Sequence, residues 1–216
     1  MTQGPPESVT EPGYIFFASQ LELMQLLLMV SKSPAQIGDG NLERATMLEL
    51  VAVRLSENFE IYLSDLLIIL HLKQPDLMSK ERLSGKQILE CKTYDNVLRA
   101  LAEACVYDII REGLETTQMA IKSKFKLKVF DEHSDIERVN RYNQERNLLV
   151  HNRGIVNKRF LSKVPDASSY KEGERLTVDA KTLKDRFLFF ERVVTALDVR
   201  VAEQFNLPRQ PFKKGK

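Results

Sequence analysis

Apolar residues recur along most of this chain at steps of three and four, a spacing that predicts helices almost throughout. From Tyr14 to about Val30 the sequence is apolar on most sides, as a buried first helix would be. A second helix is expected from a cap at Asn41 toward Leu72. Met47, Leu48, Val51, Leu55, Phe59, Tyr62, Leu66 and Ile69 form its inner face, and Pro75 ends it. His71, near that end, reads as a contact with the helix dipole or as simply exposed. Asp76 to Lys92 reads as a short helix or two broken turns around Gly85. Asp95 is expected to cap a long helix to about Lys122, with Val97, Leu101, Cys105, Ile109 and Leu114 inward and Gly113 weakening it. The last helix, Ala180 to Asn206, carries Leu183, Phe187, Phe190, Val194, Leu197, Val201 and Phe205 inward until Pro208 stops it.

Three stretches depart from this period. Lys122–Phe130, KSKFKLKVF, alternates lysine with apolar residues at period two and predicts an extended connector packed along its apolar side. Its lysines either track a phosphate backbone or keep the segment soluble. Ser31–Gly40 and Ile155–Asp179 are expected as loops from their Pro, Gly and Ser content, the second long enough to be functional or mobile. Residues 1–13 and 208–216 read as a flexible tail and a basic tail around one domain, 14–207. The fold class is all-α, a compact bundle of five to six helices with a long loop after the Ser134–Gly154 helix.

That helix, SDIERVNRYNQERNLLVHNRG, has a candidate capping box at Ser134 and Glu137 and a left-handed stop at Gly154. At about 100° per residue, Ile136, Val139, Tyr142, Leu149 and Val150 gather on one face. Arg146 falls within that stripe, while Asn147 and His151, four apart, share a neighbouring face. A guanidinium in an apolar seam needs an anion or acceptors, because an unpaired buried charge is costly. Glu145 reads as a solvated carboxylate or an orienting group, and a structural pairing of Arg146 with a buried acid stays open.

Composition bounds the function. At 216 residues, 43% hydrophobic and 29% charged, the chain is globular in character. Residues 122–216 carry 22 Lys+Arg against 13 Asp+Glu, whereas residues 1–121 carry 10 against 17. The half with the Arg146–His151 stretch is therefore the basic one, as suits a polyanion partner, although solvated helices also vary this way. Cys91 and Cys105 lack metal-ligand spacing and read as buried thiols of a reducing compartment. With three histidines and no HExxH, a dedicated metal or cofactor site is not expected. Ile15–Val30 is broken by Gln20, Glu22 and Gln25 with nothing basic before it. It reads as neither signal peptide nor membrane span, leaving a cytoplasmic setting as the expectation.

The run Arg146-Asn147-Leu148-Leu149-Val150-His151, continued by Asn152-Arg153-Gly154, resembles the Arg-x4-His signature of the HEPN superfamily. The resemblance implies a compact helical domain that acts as a metal-independent endoribonuclease, a toxin or anti-phage effector, dimerising so that two motifs line one cleft. It implies Arg146, Asn147 and His151 as catalytic residues, no cofactor, RNA as substrate and a possible inhibitory partner protein. Asn152, Arg153, Lys158 and Arg159 are candidates to bind the substrate. The chemistry suits these types: histidine moves protons near neutral pH, arginine grips two phosphoryl oxygens, and an Asn amide orients or donates. Five residues turn a helix by about 140°, so Arg146 and His151 of one chain diverge, and a two-fold dimer would resolve this. The alternatives are a non-catalytic HEPN module binding RNA, nucleotide or protein, and a helical scaffold in which the motif is structural.

Overall fold

In a computed structural model of the chain, the described residues are 6–32, 40–164 and 169–212. Among them are eight α-helices: α1 (Glu11–Lys32), α2 (Gly40–Lys73), α3 (Gly85–Glu90), α4 (Tyr94–Arg111), α5 (Leu114–Phe125), α6 (His133–His151), α7 (Lys158–Lys163) and α8 (Ala180–Phe205). A 3-10 turn occupies Pro75–Met78, and two short strands, β1 (Ser8–Val9) and β2 (Gln210–Pro211), pair antiparallel. The all-α class expected from the periodicity holds. The loop expected at 31–40 falls largely outside the described residues, as do residues 165–168 of the one expected at 155–179.

The chain forms two compact units, one of residues 1–6, 15–59 and 130–195, the other of residues 7–14, 60–129 and 196–216. Neither is continuous in sequence, because α1, α2 and α8 each contribute to both.

In the unit of residues 7–14, 60–129 and 196–216, order begins earlier than the tail reading allows. Thr10 caps α1, its hydroxyl accepting from Gly13 N–H at 3.3 Å. The same hydroxyl donates to Asp198 Oδ1, and Thr10 N–H donates to Asp198 Oδ2 at 3.0 Å. Burial pushes the Asp198 carboxyl above the usual carboxylate range, against the pull of the two Thr10 hydrogen bonds. Gly13 is required by this approach, since a Cβ there would stand 2.5 Å from Asp198 Oδ1. At the other end Phe212 N–H donates to Glu7 C=O at 2.9 Å, so part of the expected basic tail closes the β1–β2 pair.

The long helix expected from Asp95 is two. Thr93, not Asp95, caps α4 by accepting from Asn96 N–H, and Gly113 at φ +96° separates α4 from α5. Helix α5 consumes the first half of KSKFKLKVF and stops at Lys126 in the left-handed region (φ 57°). The period-two pattern persists beyond it: Phe125, Leu127 and Val129 are buried, while Lys126 and Lys128 face solvent. Ser84 and Gln87 form a capping box that opens α3.

His71 is fully buried rather than exposed. Its Nδ1 lies 2.8 Å from Leu67 C=O and its Nε2 lies 3.3 Å from Cys105 Sγ, which also accepts from Lys124 Nζ at 3.4 Å. Cys105 is buried as expected, and Cys91 only partly.

The other unit holds α6, α7 and the first part of α8. Helices α6 and α8 are clamped by charge at two places. Arg192 forks onto Asp135 at 2.6 and 3.2 Å, and Arg186 meets Glu145 at 2.5 Å. Between the clamps Tyr142 packs edge-on to Phe189 at 5.7 Å and lies tilted against Phe190 at 5.7 Å. In α8 Leu183, Phe187, Phe190 and Val194 are buried as the spacing predicts. In α1 the window Glu11–Ser31 is long and apolar enough to cross a membrane by length and composition, with mean hydropathy 1.4 and 33% of it buried. The polar breaks expected to disqualify it include Gln20, which is itself buried.

Burial lowers the His71 pKa below its ordinary value of 6.5, although the bond to Leu67 works the other way. The folded chain thus keeps the ring neutral where the unfolded chain protonates it. Its contribution to stability is complete above about pH 6.5 and is lost as the pH falls below that. Urea melts from about pH 7.5 to 5.5 should show the stability gap between wild type and His71→Gln narrowing as the pH drops. A constant gap would contradict this.

Candidate functional site

Helix α6 carries chemistry on two sides, and its N-terminus differs from expectation. It starts at His133 behind Glu132, which makes no side-chain cap, so Ser134 and Glu137 form no capping box. Ser134 Oγ instead donates to Glu132 Oε2 at 3.3 Å. The other end stops as expected: Arg153 (φ 54°) and Gly154 (φ 74°) are both left-handed, and Gly154 N–H returns to Leu148 C=O at 2.9 Å.

The buried face is rotated from the expected one. It runs through Asp135, Val139, Tyr142, Glu145 and Leu148, leaving Ile136 and Leu149 half-buried and Val150 exposed. Glu145, expected to be solvated, is 5% exposed and occupies the position anticipated for Arg146. It accepts from Arg186 Nη2 at 2.5 Å and from Arg141 Nε at 3.0 Å, with the Tyr170 hydroxyl 3.4 Å away. Burial opposes the charge of Arg141, but the hydrogen bonds that it donates to Glu145 and Tyr170 outweigh this and raise its pKa. The arginine buried against this face is not Arg146 but Arg186 of α8, which stacks 4.0 Å over the Tyr142 ring.

Arg146 sits at the edge of the buried face, its side chain 26% exposed. Nη1 donates to Asn147 Oδ1 at 3.2 Å, and Nη2 lies 3.8 Å from Glu57 Oε1 on α2. A cavity of about 400 Å³ opens beside it at the C-terminal end of α6. Gln144, Asn147, His151, Asn152, Asn157 and Arg159 line it over a floor of Leu148 and Phe160. Four expected site residues, Asn147, His151, Asn152 and Arg159, therefore meet at one cavity. Arg146, Arg153 and Lys158 are not among its lining residues.

Local backbone geometry builds this cavity. The segment after α6 is not the plain loop expected. Asn157 caps α7 by accepting from Phe160 N–H at 2.9 Å, which places Arg159 in the first turn. Val156 exchanges backbone hydrogen bonds with Glu174 and Gly173 at 2.9 Å each, and Leu176 N–H reaches Gly154 C=O at 2.7 Å. Leu148, Val156, Phe160 and Val164 pack beneath, with Leu161 and Tyr170 against them. Arg175, in the segment that returns beside Ile155, is anchored on Glu49 of α2 at 2.9 and 3.1 Å. Asn152 Nδ2 is committed to Ile155 C=O at 2.5 Å, so it shapes the helix end. Gln144, Asn147, His151 and Arg159 remain as the chemical lining. Gln144 was missed, although it stands three residues before Asn147 on the same helix face. Among the described residues no group of three or more His, Cys, Asp or Glu gathers where it would hold a metal ion.

No family model, curated protein or solved structure matches this chain.

The Glu145 ion pairs are buried, and removing one member leaves a guanidinium uncompensated. Glu145→Ala should lower unfolding free energy by about 3–5 kcal/mol in urea titration, a cost typical of breaking a buried pair. A loss of under about 1 kcal/mol would mean that the cluster contributes no more than surface ion pairs do.

Proposed function

We propose that the chain is a metal-independent endoribonuclease of HEPN type, acting at the cavity beside the C-terminal end of α6. The observation that carries the reading is the meeting of His151, Asn147 and Arg159 around one cavity of about 400 Å³. An imidazole, an amide and a guanidinium are the groups that cleavage by the ribose 2′-oxygen requires. His151 takes the 2′ proton, the oxygen attacks the adjacent phosphorus in line, and the P–O5′ bond breaks, the 5′-oxygen taking up a proton from water as it leaves. The products are a 2′,3′-cyclic phosphate and a 5′-hydroxyl. Arg159 and Asn147 stabilise charge on the phosphoryl oxygens.

Arg146 has a different part within one chain. Its guanidinium holds the Asn147 carbonyl oxygen at 3.2 Å, leaving the amide nitrogen as the donor for a phosphate. A second copy across a two-fold axis adds its own Arg146 and His151 to the same groove, as the Arg-x4-His spacing calls for. Val150, 49% exposed next to His151 in sequence, offers an apolar contact for that copy. The setting that fits is a cytoplasmic toxin or phage-defence effector restrained by a partner protein.

Pure protein incubated with RNA in chelator should cut it. His151→Ala should reduce the rate by about 10²–10⁴-fold, the usual contribution of a positioned general base, with the melting temperature unchanged. RNA carrying a single 2′-deoxy nucleotide at the cut site should resist, because it lacks the nucleophile. Equal cleavage of that substrate would rule out the mechanism. Inert wild-type protein that still binds RNA would favour a non-catalytic binding module.

A further inference from the structure

A second cavity, of about 240 Å³, lies on another side of α6, against Leu176–Val178 and the first turns of α8. Its wall includes Arg138, Arg141, Arg186, Tyr170 and Thr177, together with the carboxylates of Glu145 and Asp185. Arg186 is 4% exposed, and among the described residues its one hydrogen-bonding partner is Glu145, through Nη2. Its Nε and Nη1 are buried without an acceptor. A guanidinium so enclosed is normally satisfied on every edge, because each buried N–H lacking an acceptor costs stability. Glu145 does not supply the missing acceptors, since its Oε1 is already shared by Arg141 and Tyr170.

The surplus in this lining is of donors and of positive charge: three guanidiniums against two carboxylates. We infer that this cavity is an oxyanion site that takes a single phosphate group, with Arg186 as its buried anchor. Phosphate fits better than carboxylate, because its several oxygens can meet Arg186 and the groups on the opposite wall together, whereas a carboxylate has two in one plane. The volume is below the ~300 Å³ at which whole small-molecule ligands are usually enclosed, so the rest of the phosphorylated molecule would lie outside. The source is either a small phosphorylated metabolite or the backbone of a nucleic acid. The inference does not rest on the ribonuclease reading, because the cavity shares no lining residue with that of His151.

Isothermal titration at low salt with inorganic phosphate, with a 5′-mononucleotide and with a short fully 2′-O-methylated RNA tests it, since none of the three can be cleaved through a 2′-hydroxyl. Saturable phosphate binding is expected, weakened at least tenfold by Arg186→Gln. Because that variant disturbs the Glu145 cluster, Thr177→Trp provides a second test: it fills the cavity mouth from an exposed position and should also abolish binding. Competition with phosphate by the mononucleotide identifies a small-molecule source, and competition by the RNA alone identifies a backbone. No saturable binding of any of the three, or binding undiminished in Thr177→Trp, would overturn the proposal.

Discussion

The unit built on α6 depends on one buried carboxylate. Glu145 joins Arg186 of α8 to Arg141 one turn back on its own helix, with Tyr170 of the return segment alongside. This fixes the rotation of α6 about its axis, because the residue paired to α8 must face α8. With Glu145 inward, Asn147 and His151 are carried round to another side, and the cavity forms where α7 comes back against it. The second clamp, Asp135 with Arg192, holds the same rotation two to three turns away. A buried ion pair is seldom more stable than well-packed apolar residues of equal size. Its effect here is on register: an apolar residue at position 145 would tolerate small rotations that a fork-shaped donor and its carboxylate do not.

Much of the helical framework was legible in the apolar spacing. The α8 residues Leu183, Phe187, Phe190 and Val194 are buried because 3.6 residues per turn and a wide hydrophobic stripe leave little alternative. The ends were less legible. Thr93 and Thr10 cap helices that Asp95 and Tyr14 were expected to open, since the sequence offers several capping residues in a row and packing selects among them. At the site, one step of helix rotation exchanged the roles of two neighbours. Glu145 and Arg146 are both charged and both lie near the stripe, and only the position of Arg186 on a helix forty residues later decides which is buried. That Arg186 itself stands in the α8 stripe was a readable sign of a buried ionic contact. Asn157, and the helical turn that seats the expected Arg159, were hidden because α7 is shorter than two turns and has no period of its own.

Two cavities on one helix separate two kinds of demand. Around His151 the lining is amide-rich, and two of those amides, on Asn152 and Asn157, are spent on backbone groups that hold the walls. Around Arg186 the lining is ionic, and its donors exceed its acceptors. The first arrangement suits a group that changes charge during reaction, the second one that is simply held. Substitutions near either cavity act through α6, so effects on one are separable from effects on the other only where the Glu145 cluster is left intact.

The pairing of Ser8–Val9 with Gln210–Pro211 has a mechanical consequence. The two strands are antiparallel and lie near opposite ends of the chain, so tension applied between residues 8 and 211 loads their ladder from one edge. Its rungs would part in succession, as a zipper opens, rather than sharing the load as they do in shear. The next bonds in line are those of Thr10 to Asp198, whose carboxylate would then be exposed to water. By this geometry, resistance to pulling is weakest where the chain closes on itself.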